Sequence, residues 1–493
     1  MPRLTPQEID AYLAGPHVAH FASIREDGSP HVSPVWYQWE DGKVTVVSGD
    51  AAVKTRNVRR NPRVALSVAT DEWPYQYVIL EGDATVSNDN LKDAVRRIFS
   101  RYEGAERGEQ DAADLAEGDQ KLVAIEIDLG IANTVLLERD VLGSGSTGRS
   151  QAICRMHYSN RITTQLAWQS LQVFADFDAR VGGRSGFVQT GYLVVVNEAD
   201  QGGLERNVAM HQEMGVPTSV VSPDDLAKLA PMVTLYDDER AAWEPNSGYA
   251  DPYQVTVSYA ARAREAGAVI ASRNPAAGID TASGRVQSVV TAAGDRVATD
   301  TIIVAAGPWS KQILAGVGVD VPLLPVRHQV ATVARPVELV PQHPTVGDIS
   351  QSFSFRPDGS NFTTMGFGDD EEQSDPDAYP QGIDPSAAAS ARERLARRIP
   401  SMSDSYYRGG WSGLFTTTPD WHPILDSVPG VEGLFCAVGF SGHGFKLSPA
   451  ISKAVAELVA EGKARDVDLS PLRFNRFAEG DLLDSSYRYR VLA

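Results

Sequence analysis

The chain runs Thr134-Val135-Leu136-Leu137-Glu138 and, a few residues later, Gly143-Ser144-Gly145-Ser146-Thr147-Gly148. The glycines fit the pattern G-x-G-x-x-G of a dinucleotide fingerprint, in which the ribose-binding acid follows the glycines by about 20 residues. Here the order is reversed, because the acid Glu138 comes first. The stretch therefore indicates the end of a nucleotide-binding unit, and the cofactor residues expected in it are Glu138, Gly145, Ser146 and Thr147.

Two glycine-rich turns farther along the chain have the same character. The apolar run Ile302–Val304 ends in Ala305-Ala306-Gly307-Pro308-Trp309, and the run Gly433–Val438 ends in Gly439-Phe440-Ser441-Gly442-His443-Gly444-Phe445-Lys446. Small residues after a strand let a cofactor approach the backbone, and the second turn leads into a helix expected from about Ser448 to Glu461. Expected cofactor contacts are Ala306, Gly307, Trp309, Gly439, Gly442, His443, Gly444 and Phe445.

From about Thr134 to its C-terminus the chain resembles the D-amino-acid-oxidase-like family of FAD-dependent amine oxidoreductases, which includes the sarcosine and dimethylglycine oxidases. The resemblance implies FAD and an amino-acid substrate that is oxidised at its C–N bond. In that family a first strand, a G-x-G-x-x-G turn and a helix precede the strand that ends in Glu. This chain lacks all three, although their N–H groups normally hold the pyrophosphate. Whether FAD binds without that turn is therefore the central question.

The same resemblance implies a site for the substrate carboxylate. The segment Ile153–Tyr158 matches a family motif that supplies an arginine, which makes Arg155 the candidate; the alternative is an ordinary ion pair. Lys446 would pair with the carboxylate from the opposite side. His328, in Pro325–Val330, would steer protons or stabilise the reduced flavin, and a core histidine satisfied by backbone is an equal alternative. His157 is interpreted as structural.

The first 130 residues follow a different pattern. Asp27-Gly28 and Asp41-Gly42 separate alternating apolar runs, which is a strong hairpin signal. Several short strands with few helices predict a small barrel. The segments Asp27–Trp36 and Lys54–Pro62 resemble the split-barrel family of pyridoxamine-phosphate-oxidase-like proteins, which bind FMN or a deazaflavin. The resemblance implies that Lys54, Arg56 and Asn57 contact a cofactor phosphate, whereas the plainer interpretation is a solvated basic turn.

The predicted fold class is α/β + β, with a split β-barrel at 1–131 and an incomplete FAD-binding α/β domain at 132–493. FAD-binding parts are expected at about 132–185, 250–320 and 410–465. An inserted antiparallel-sheet substrate domain is expected at about 186–249 and 321–409. Because the strand at Thr134–Glu138 has lost its usual neighbour, we expect the barrel or a partner subunit to cover its edge.

Composition restricts the partners. The net charge of −19 over 493 residues argues against nucleic acid and anionic membranes. The two cysteines, Cys154 and Cys436, have no metal-type spacing, so neither a disulfide framework nor a metal site is expected. No signal peptide or membrane span is apparent, which predicts a cytoplasmic protein. We also expect the chain to form a homo-oligomer through its barrel domain.

Three functions remain open at this point. In the first, the protein is a working FAD amine oxidoreductase, in which the barrel or a second subunit replaces the missing pyrophosphate site. Alternatively, only the barrel is active, as a small FMN- or deazaflavin-dependent reductase. In the third reading the chain is a non-catalytic cofactor-binding protein. The retained glycine turns favour the first, and the missing fingerprint favours the others.

Overall fold

The computed structural model describes residues 6–40, 43–70, 76–114, 121–128 and 134–487. The chain divides into two compact units, one made of Met1–Val135 with Gly267–Val269, and one made of Leu136–Ala266 with Ile270–Ala493. The predicted boundary between residues 131 and 132 lies outside the described residues. Among the helices described, none has the length and apolar character needed to cross a bilayer.

The first unit is built on a seven-stranded antiparallel sheet in the order β2-β1-β5-β6-β7-β4-β3. The strands are β1 (Ala19–Ile24), β2 (Pro30–Val35), β3 (Gln38–Glu40), β4 (Lys43–Gly49), β5 (Arg63–Ala69), β6 (Tyr77–Ser87) and β7 (Leu122–Asp128). The helices are α1 (Pro6–Leu13), α2 (Val53–Arg60), α3 (Leu91–Glu103) and α4 (Ala105–Asp114). Alternate strand residues such as Phe21, Val46 and Leu66 form its core, because successive side chains point to opposite faces.

Two details of this unit bear on the sequence-based expectations. The Asp27-Gly28 hairpin is confirmed: β1 pairs with β2, and Gly28 takes a positive φ of 83°. The basic segment after Val53 forms the helix α2 and not a turn, and its Thr55 and Asn57 are buried against the sheet.

The rest of the chain alternates strands with helices. The strands are β8 (Val135–Leu137), β9 (Ile153–Cys154), β10 (Val188–Gln189), β11 (Tyr192–Val196), β12 (Ser219–Val221), β13 (Arg240–Glu244), β14 (Gly248–Tyr249), β15 (Val269–Ala271), β16 (Ala276–Ala282), β17 (Arg285–Thr291), β18 (Arg296–Ala298), β19 (Ile302–Val304), β20 (Leu324–Ala334), β21 (Thr345–Asp348), β22 (Phe353–Asp358), β23 (Phe362–Gln373), β24 (Tyr406–Thr417), β25 (Ile424–Ser427) and β26 (Leu434–Val438). The helices are α5 (Arg161–Ala175), α6 (Phe177–Arg180), α7 (Gln201–Glu213), α8 (Pro223–Leu229), α9 (Pro252–Glu265), α10 (Ser310–Ala315), α11 (Pro385–Arg398), α12 (Gly444–Glu461) and α13 (Arg476–Glu479).

The strands of the nucleotide-binding part form two separate small sheets. One is β15-β8, and the other is β19-β26-β25, in which β19 and β26 run parallel. Within the described residues, β8 pairs only with β15 and β19 pairs only with β26. One edge of β8 is thus covered by a strand of its own chain; cover of its other edge by the barrel or a partner subunit stays a prediction.

The largest sheet of the second unit has eight strands in the order β12-β13-β11-β21-β22-β23-β20-β24. Its pairs are antiparallel except for β11 with β21, which are parallel, so the expected antiparallel sheet is in fact mixed. Helix α11 and the apolar face of the sheet share a core that includes Leu193, Phe355 and Leu395.

Helix α12 packs against α5 over a second core that includes Leu166, Phe174 and Leu447. It begins at Gly444, four residues before the expected start, so that Lys446 lies in its first turn. Pro449 lies inside the helix and has no N–H to donate to the carbonyl of Phe445, four residues before it. That carbonyl instead accepts a hydrogen bond from Ser448 Oγ at 2.8 Å, which helps the helix to accommodate the proline.

A buried ion-pair network closes the large-sheet core. The Arg398 guanidinium donates to Glu239 at 2.7 and 2.8 Å and to Asp348 at 2.7 Å. All three side chains are at most 3% exposed. Breaking such a pair from one side leaves an uncompensated buried charge.

The variant Arg398→Met is therefore expected to lower the free energy of unfolding by about 3–5 kcal/mol, because both carboxylates stay buried without their cation. Urea unfolding followed by tryptophan fluorescence measures the change. The matched control is Arg408→Met, at an exposed position, with an expected change within about 0.5 kcal/mol. Equal effects in the two variants would contradict the importance of the network.

Candidate active site

The loop after β8 is folded on itself around Arg149. Gly148 N–H donates to Gly143 O at 2.9 Å, and the Arg149 guanidinium donates to the carbonyls of Ser144 and Gly145. Ser146 donates to Leu414 O at 2.7 Å. The loop is thus held in shape by its own chain, while Ser146 and Thr147 remain exposed and Gly145 has open space where a side chain would be.

Glu138, at the end of β8, has its backbone N–H bonded to Ala271 O at 3.0 Å. One carboxylate oxygen, Oε1, accepts from the N–H of Asp140 at 2.9 Å. The side chain is half-buried, and its second oxygen is the one left to accept a ribose hydroxyl.

The ends of β8 and β19 meet through one carboxylate. Asp377 accepts from Arg139 at 2.8 Å and from Trp309 Nε1 at 2.9 Å, and the Arg139 guanidinium lies 4.4 Å from the centre of the Trp309 ring. Trp309 was predicted to contact the cofactor, and its indole N–H, the only donor of its side chain, is used in the hydrogen bond to Asp377. Ala306 and Gly307 are half-exposed, and a side chain built at Gly307 would meet nothing within 4 Å.

The turn from Gly439 to Gly444 has no room for a side chain at Gly439 or Gly442. Gly439 and Gly442 have φ of 72° and 82°. A Cβ at Gly439 would lie 2.4 Å from Thr418, and one at Gly442 would lie 2.5 Å from the Phe415 ring. Ser441, at φ 48°, is held in the same region by its N–H bond to Thr416 O at 2.9 Å.

Helix α12 starts at the end of this turn with free N–H groups. His443 is its N-cap and makes no side-chain bond to the first turn. The first backbone N–H groups of an α-helix have no partner inside the helix, and the helix dipole adds positive charge there. Phe445 lies in this first turn and stacks on Phe174 with ring centres 5.4 Å apart. The turn therefore offers donors to an electron-rich group.

The structure brings Arg155, Tyr158, His443 and Lys446 together. The Arg155 guanidinium lies 4.3 Å from the centre of the Tyr158 ring, and Tyr158 Oη contacts His443 Nδ1 at 3.2 Å. One Arg155 nitrogen donates to His157 O, while Nη2 is buried without a hydrogen-bond partner. A buried guanidinium with an unused donor is suited to accept an anion.

Lys446 is the second cation of this cluster. Burial, and then the charge of Arg155, holds the pKa of Lys446 well below its usual range. Burial, Lys446 and Arg155 likewise hold the pKa of His443 well below 6.5. The Lys446 side chain is half-buried. A bound carboxylate would favour its charged form.

His328 lies on β20 and stacks on Phe415, with ring centres 4.2 Å apart and planes 15° apart. Its Nε2 and the Gln151 side chain both crowd Gly366, where a Cβ would lie 3.3 and 2.0 Å from them. Burial lowers the pKa of His328 to about 3, so the ring is neutral at pH 7.

In the first unit, the three predicted phosphate contacts lie on α2 and differ in availability. Asn57 is buried and donates to Ser23 Oγ at 3.0 Å, so its amide is used within the domain. Arg56 is exposed and donates to Ala51 O at 3.1 Å. Lys54 is half-buried, and burial lowers its pKa.

Sequence reasoning missed two residues of β2, of which His31 lies near Lys54. His31 Nδ1 and Ser33 Oγ, both on β2, are buried without hydrogen-bond partners. Burial lowers the pKa of His31, and the charges of Arg25 and Lys54 lower it further, which places the three residues close together. The sequence Pro-His-Val-Ser could have indicated them, because His31 and Ser33 are two residues apart on a strand and their side chains point to the same face.

Tyr158 and Gln151 were also missed as site residues. Tyr158 was quoted only as the end of the arginine motif, and its phenol now links Arg155 to His443. Gln151 precedes Ala152, whose φ of 53° is unusual for a residue other than glycine. A positive φ at alanine leaves no mark in the sequence.

Two family profiles match the chain. The profile described as "FAD dependent oxidoreductase" matches residues 122–458, and that described as "Pyridoxamine 5'-phosphate oxidase" matches residues 5–131. The first covers more than half of the chain, which therefore belongs to the D-amino-acid-oxidase-like family of FAD-dependent oxidoreductases, with a pyridoxamine-phosphate-oxidase-like domain at its N-terminus. The two matches share residues 122–131, and the structure pairs β7 with β4 and β6 of the N-terminal sheet.

Curated relatives support this membership. The bovine "FAD-dependent oxidoreductase domain-containing protein 1" is 28% identical over 60% of this chain and 67% of its own length. Sarcosine oxidase subunit beta of Rhodobacter capsulatus is 26% identical over 72% of this chain and 85% of its own length. Mouse mitochondrial sarcosine dehydrogenase is 25% identical over 68% of this chain, which spans only 38% of that protein.

Solved structures share the fold. The L-proline dehydrogenase of P. horikoshii has a TM-score of 0.65 at 23% identity and covers 71% of this chain and 99% of its own. The glycine oxidase of Geobacillus kaustophilus has a TM-score of 0.61 at 22% identity, over 69% and 91% of the two chains. At these identities the comparisons show the fold alone. The chain is an FAD-family oxidoreductase, of a family whose members act on amino-acid C–N bonds.

The low pKa of His328 has a consequence for stability. Below pH 6.5 the unfolded chain binds a proton at this residue, whereas the folded chain does so only near pH 3. Stability therefore rises with pH between about 3 and 6.5. His328→Gln is expected to remove up to about 1.4 kcal/mol per pH unit of that slope.

Urea unfolding at pH 4.5, 5.5 and 6.5 measures the slope. His20→Gln, at an exposed position on β1, serves as the control and is expected to leave it unchanged. An identical pH dependence in His328→Gln and the native chain would show that His328 titrates normally.

Proposed function

We propose that this protein oxidises the C–N bond of a secondary or N-methylated amino acid of the sarcosine type, with FAD as the hydride acceptor. The observation that carries the proposal is the buried Arg155, whose Nη2 has no hydrogen-bond partner, together with the half-buried Lys446 in the open first turn of α12. Relatives named sarcosine dehydrogenase, sarcosine oxidase subunit beta and 4-methylaminobutanoate oxidase support this class of substrate.

The residues present suit the two ends of FAD unequally. At the ring end, the glycine turn and the N–H groups that start α12 suit a flavin pyrimidine, where negative charge develops on reduction. At the adenosine end, Glu138 and the loop Gly143–Gly148 remain, with Ala306 and Gly307 leaving room for the cofactor. The strand, glycine turn and helix that hold the pyrophosphate in the family have no counterpart among the described residues of the second unit. We propose that the remaining contacts to the pyrophosphate come from outside the described residues of the second unit.

FAD, when bound, supplies the two-electron acceptor chemistry. The chain itself binds and orients the amino acid. Arg155 offers a fork of donors to the carboxylate, and Lys446 adds a point charge. Tyr158 holds the guanidinium by a cation–π contact, and its hydroxyl keeps His443 in place. Because His328 is neutral and Lys446 has a lowered pKa, the free site avoids a concentration of buried positive charge.

The first experiment is the visible spectrum of the purified full-length protein, with the released cofactor identified by mass. FAD in about one equivalent per chain, followed by bleaching with sarcosine under anaerobic conditions, supports the proposal. Sarcosine methyl ester is the matched compound, because it keeps the C–N bond and lacks the carboxylate. Bleaching by both compounds alike would exclude the carboxylate site, and absence of FAD would exclude the amine oxidase.

Arg155→Lys is expected to lower kcat/KM for the amino acid by about 10- to 100-fold, since it removes one charge-assisted hydrogen bond worth about 1.5–3 kcal/mol. Lys446→Met is expected to have a loss of similar size. Steady-state kinetics over a substrate series measures both. Arg161→Met, at an exposed pair with Glu213, is the control and should keep native activity. A loss in kcat/KM with no change in carboxylate-inhibitor binding would place the role of Arg155 elsewhere.

A second candidate function belongs to the N-terminal domain. We propose that it forms a split barrel and binds the phosphate of FMN or a deazaflavin at Lys54, with Arg25, His31 and Ser33 nearby. The unpartnered buried atoms of His31 and Ser33 favour this site. A second chromophore of FMN or deazaflavin mass would support it, and its loss in Lys54→Met, with Lys43→Met as the exposed control, would locate it. One FAD per chain and no second chromophore would reject it.

A further inference from the structure

A histidine pair and a glutamate form a buried cluster beside the arginine loop. His157 follows β9, His211 lies on α7 and Glu244 ends β13, and their side chains are 1%, 0% and 0% exposed. One ligand atom from each residue lies within 4.8 Å of the other two. The planes of the two imidazoles are almost perpendicular, with ring centres 5.0 Å apart. Three separate parts of the chain thus bring together three side chains of the types that bind metal ions, and all three are buried.

One atom of each side chain has no hydrogen-bond partner, namely His157 Nδ1, His211 Nδ1 and Glu244 Oε1. His211 Nε2 lies 2.8 Å from Tyr158 O and 3.5 Å from Tyr158 N. We assign the ring proton to Nε2 on the shorter contact, because a carbonyl oxygen only accepts, and this leaves a lone pair on Nδ1. Glu244 Oε1 likewise has only lone pairs when the carboxyl is ionised. The cluster therefore collects acceptors that lack a donor, and buried acceptors of this kind are normally satisfied.

The remaining atoms of the three side chains are held as metal ligands usually are. His157 Nε2 contacts Tyr487 Oη at 2.5 Å. Glu244 Oε2 accepts from Met156 N–H at 3.0 Å and from Ser247 Oγ at 2.7 Å. Together with the bond from His211 to Tyr158, these contacts fix the orientation of each ring and of the carboxylate. Such outer hydrogen bonds orient the ligands in known metal sites.

We propose that His157, His211 and Glu244 bind a divalent transition-metal ion of the zinc type. Two imidazoles and one carboxylate are a ligand set that zinc accepts, with a water in the fourth position. Ligands at about 2.1 Å from a tetrahedral ion lie about 3.4 Å apart. His157 Nδ1 and Glu244 Oε1 are 3.8 Å apart, so small side-chain rotations close the shell.

A water molecule satisfies all three atoms only if His157 Nδ1 carries the proton of its ring. It donates two hydrogen bonds, to His211 Nδ1 and Glu244 Oε1, and a third acceptor at His157 would stay unpaired. The Arg155 charge opposes a cation at this point, and the Glu244 carboxylate offsets it.

The site would have a structural role next to the substrate cluster. His157 and Met156 follow Arg155 directly, so an ion on His157 would fasten the arginine loop to α7 and β13. This inference is independent of the proposed amine oxidation, because it concerns metal content and not turnover. It also revises the expectation from cysteine spacing, which considered ligands near one another in the chain.

The test is metal analysis of full-length protein purified from cells grown with added zinc. About one zinc per chain is expected to survive dialysis against a mild chelator, since the site is buried. His211→Gln is expected to reduce the content at least tenfold, and Glu244→Gln serves as a second variant that retains the acceptor for Met156 N–H. His343→Gln is the matched control, because His343 is equally buried and both of its nitrogens are bonded, at 2.7 Å each.

Two results would overturn the proposal. One is native protein with less than about a tenth of an equivalent of any transition metal after growth with added zinc, cobalt or iron. The other is equal metal loss in His343→Gln and His211→Gln. Should His211→Gln fail to fold, growth with cobalt gives an independent measurement. Visible cobalt absorption of a site with nitrogen and oxygen ligands is expected in the native protein and absent in Glu244→Gln.

Discussion

The absence of room for a side chain at Gly439 and Gly442 is the constraint on which the candidate active site depends. Two glycines at positive φ let the backbone pass Thr418 and Phe415 and start α12 at Gly444. That start places Lys446 in the first turn and leaves the helix N–H groups free. Three residues other than glycine in the motif segments, Ala152, Trp421 and Ser441, also have positive φ angles. Each such backbone conformation costs about 1–3 kcal/mol of folding free energy. The packing of α5 against α12 supplies the apolar burial that maintains this strain.

Much of the fold was predictable, because hydrophobic period and glycine turns are local signals. The strand at Ile302–Val304, the hairpin at Asp27-Gly28 and the helix that contains Leu447 follow directly from such patterns. The start of α12 was predicted at about Ser448, four residues late, and the bond from Ser448 to Phe445 shows how the helix accommodates Pro449. The bond of Trp309 to Asp377 joins residues far apart in the chain, and no local pattern reveals such a contact.

The site shows the same division. Arg155 and Lys446 were named from motifs, and the structure brings them together. The roles of Tyr158, His31 and Glu244 come from contacts with residues that are distant in the chain. Such contacts depend on strand register and helix packing, which no local pattern shows. The missing first strand, in contrast, was visible in the order of Glu138 and the glycines. Its consequence in three dimensions is a pair of small sheets in place of one continuous sheet.

That division into small sheets also sets the order in which the chain can mature on the ribosome. The seven-stranded sheet is complete once Asp128 has emerged. Strand β8 emerges next, yet its partner β15 begins only at Val269, after helices α5 to α9 have been made. At about 5–20 residues per second, β8 waits on the order of ten seconds as a bare strand. Among the described residues no other strand pairs with this short apolar segment, so its edge stays unpaired until Val269–Ala271 has been made.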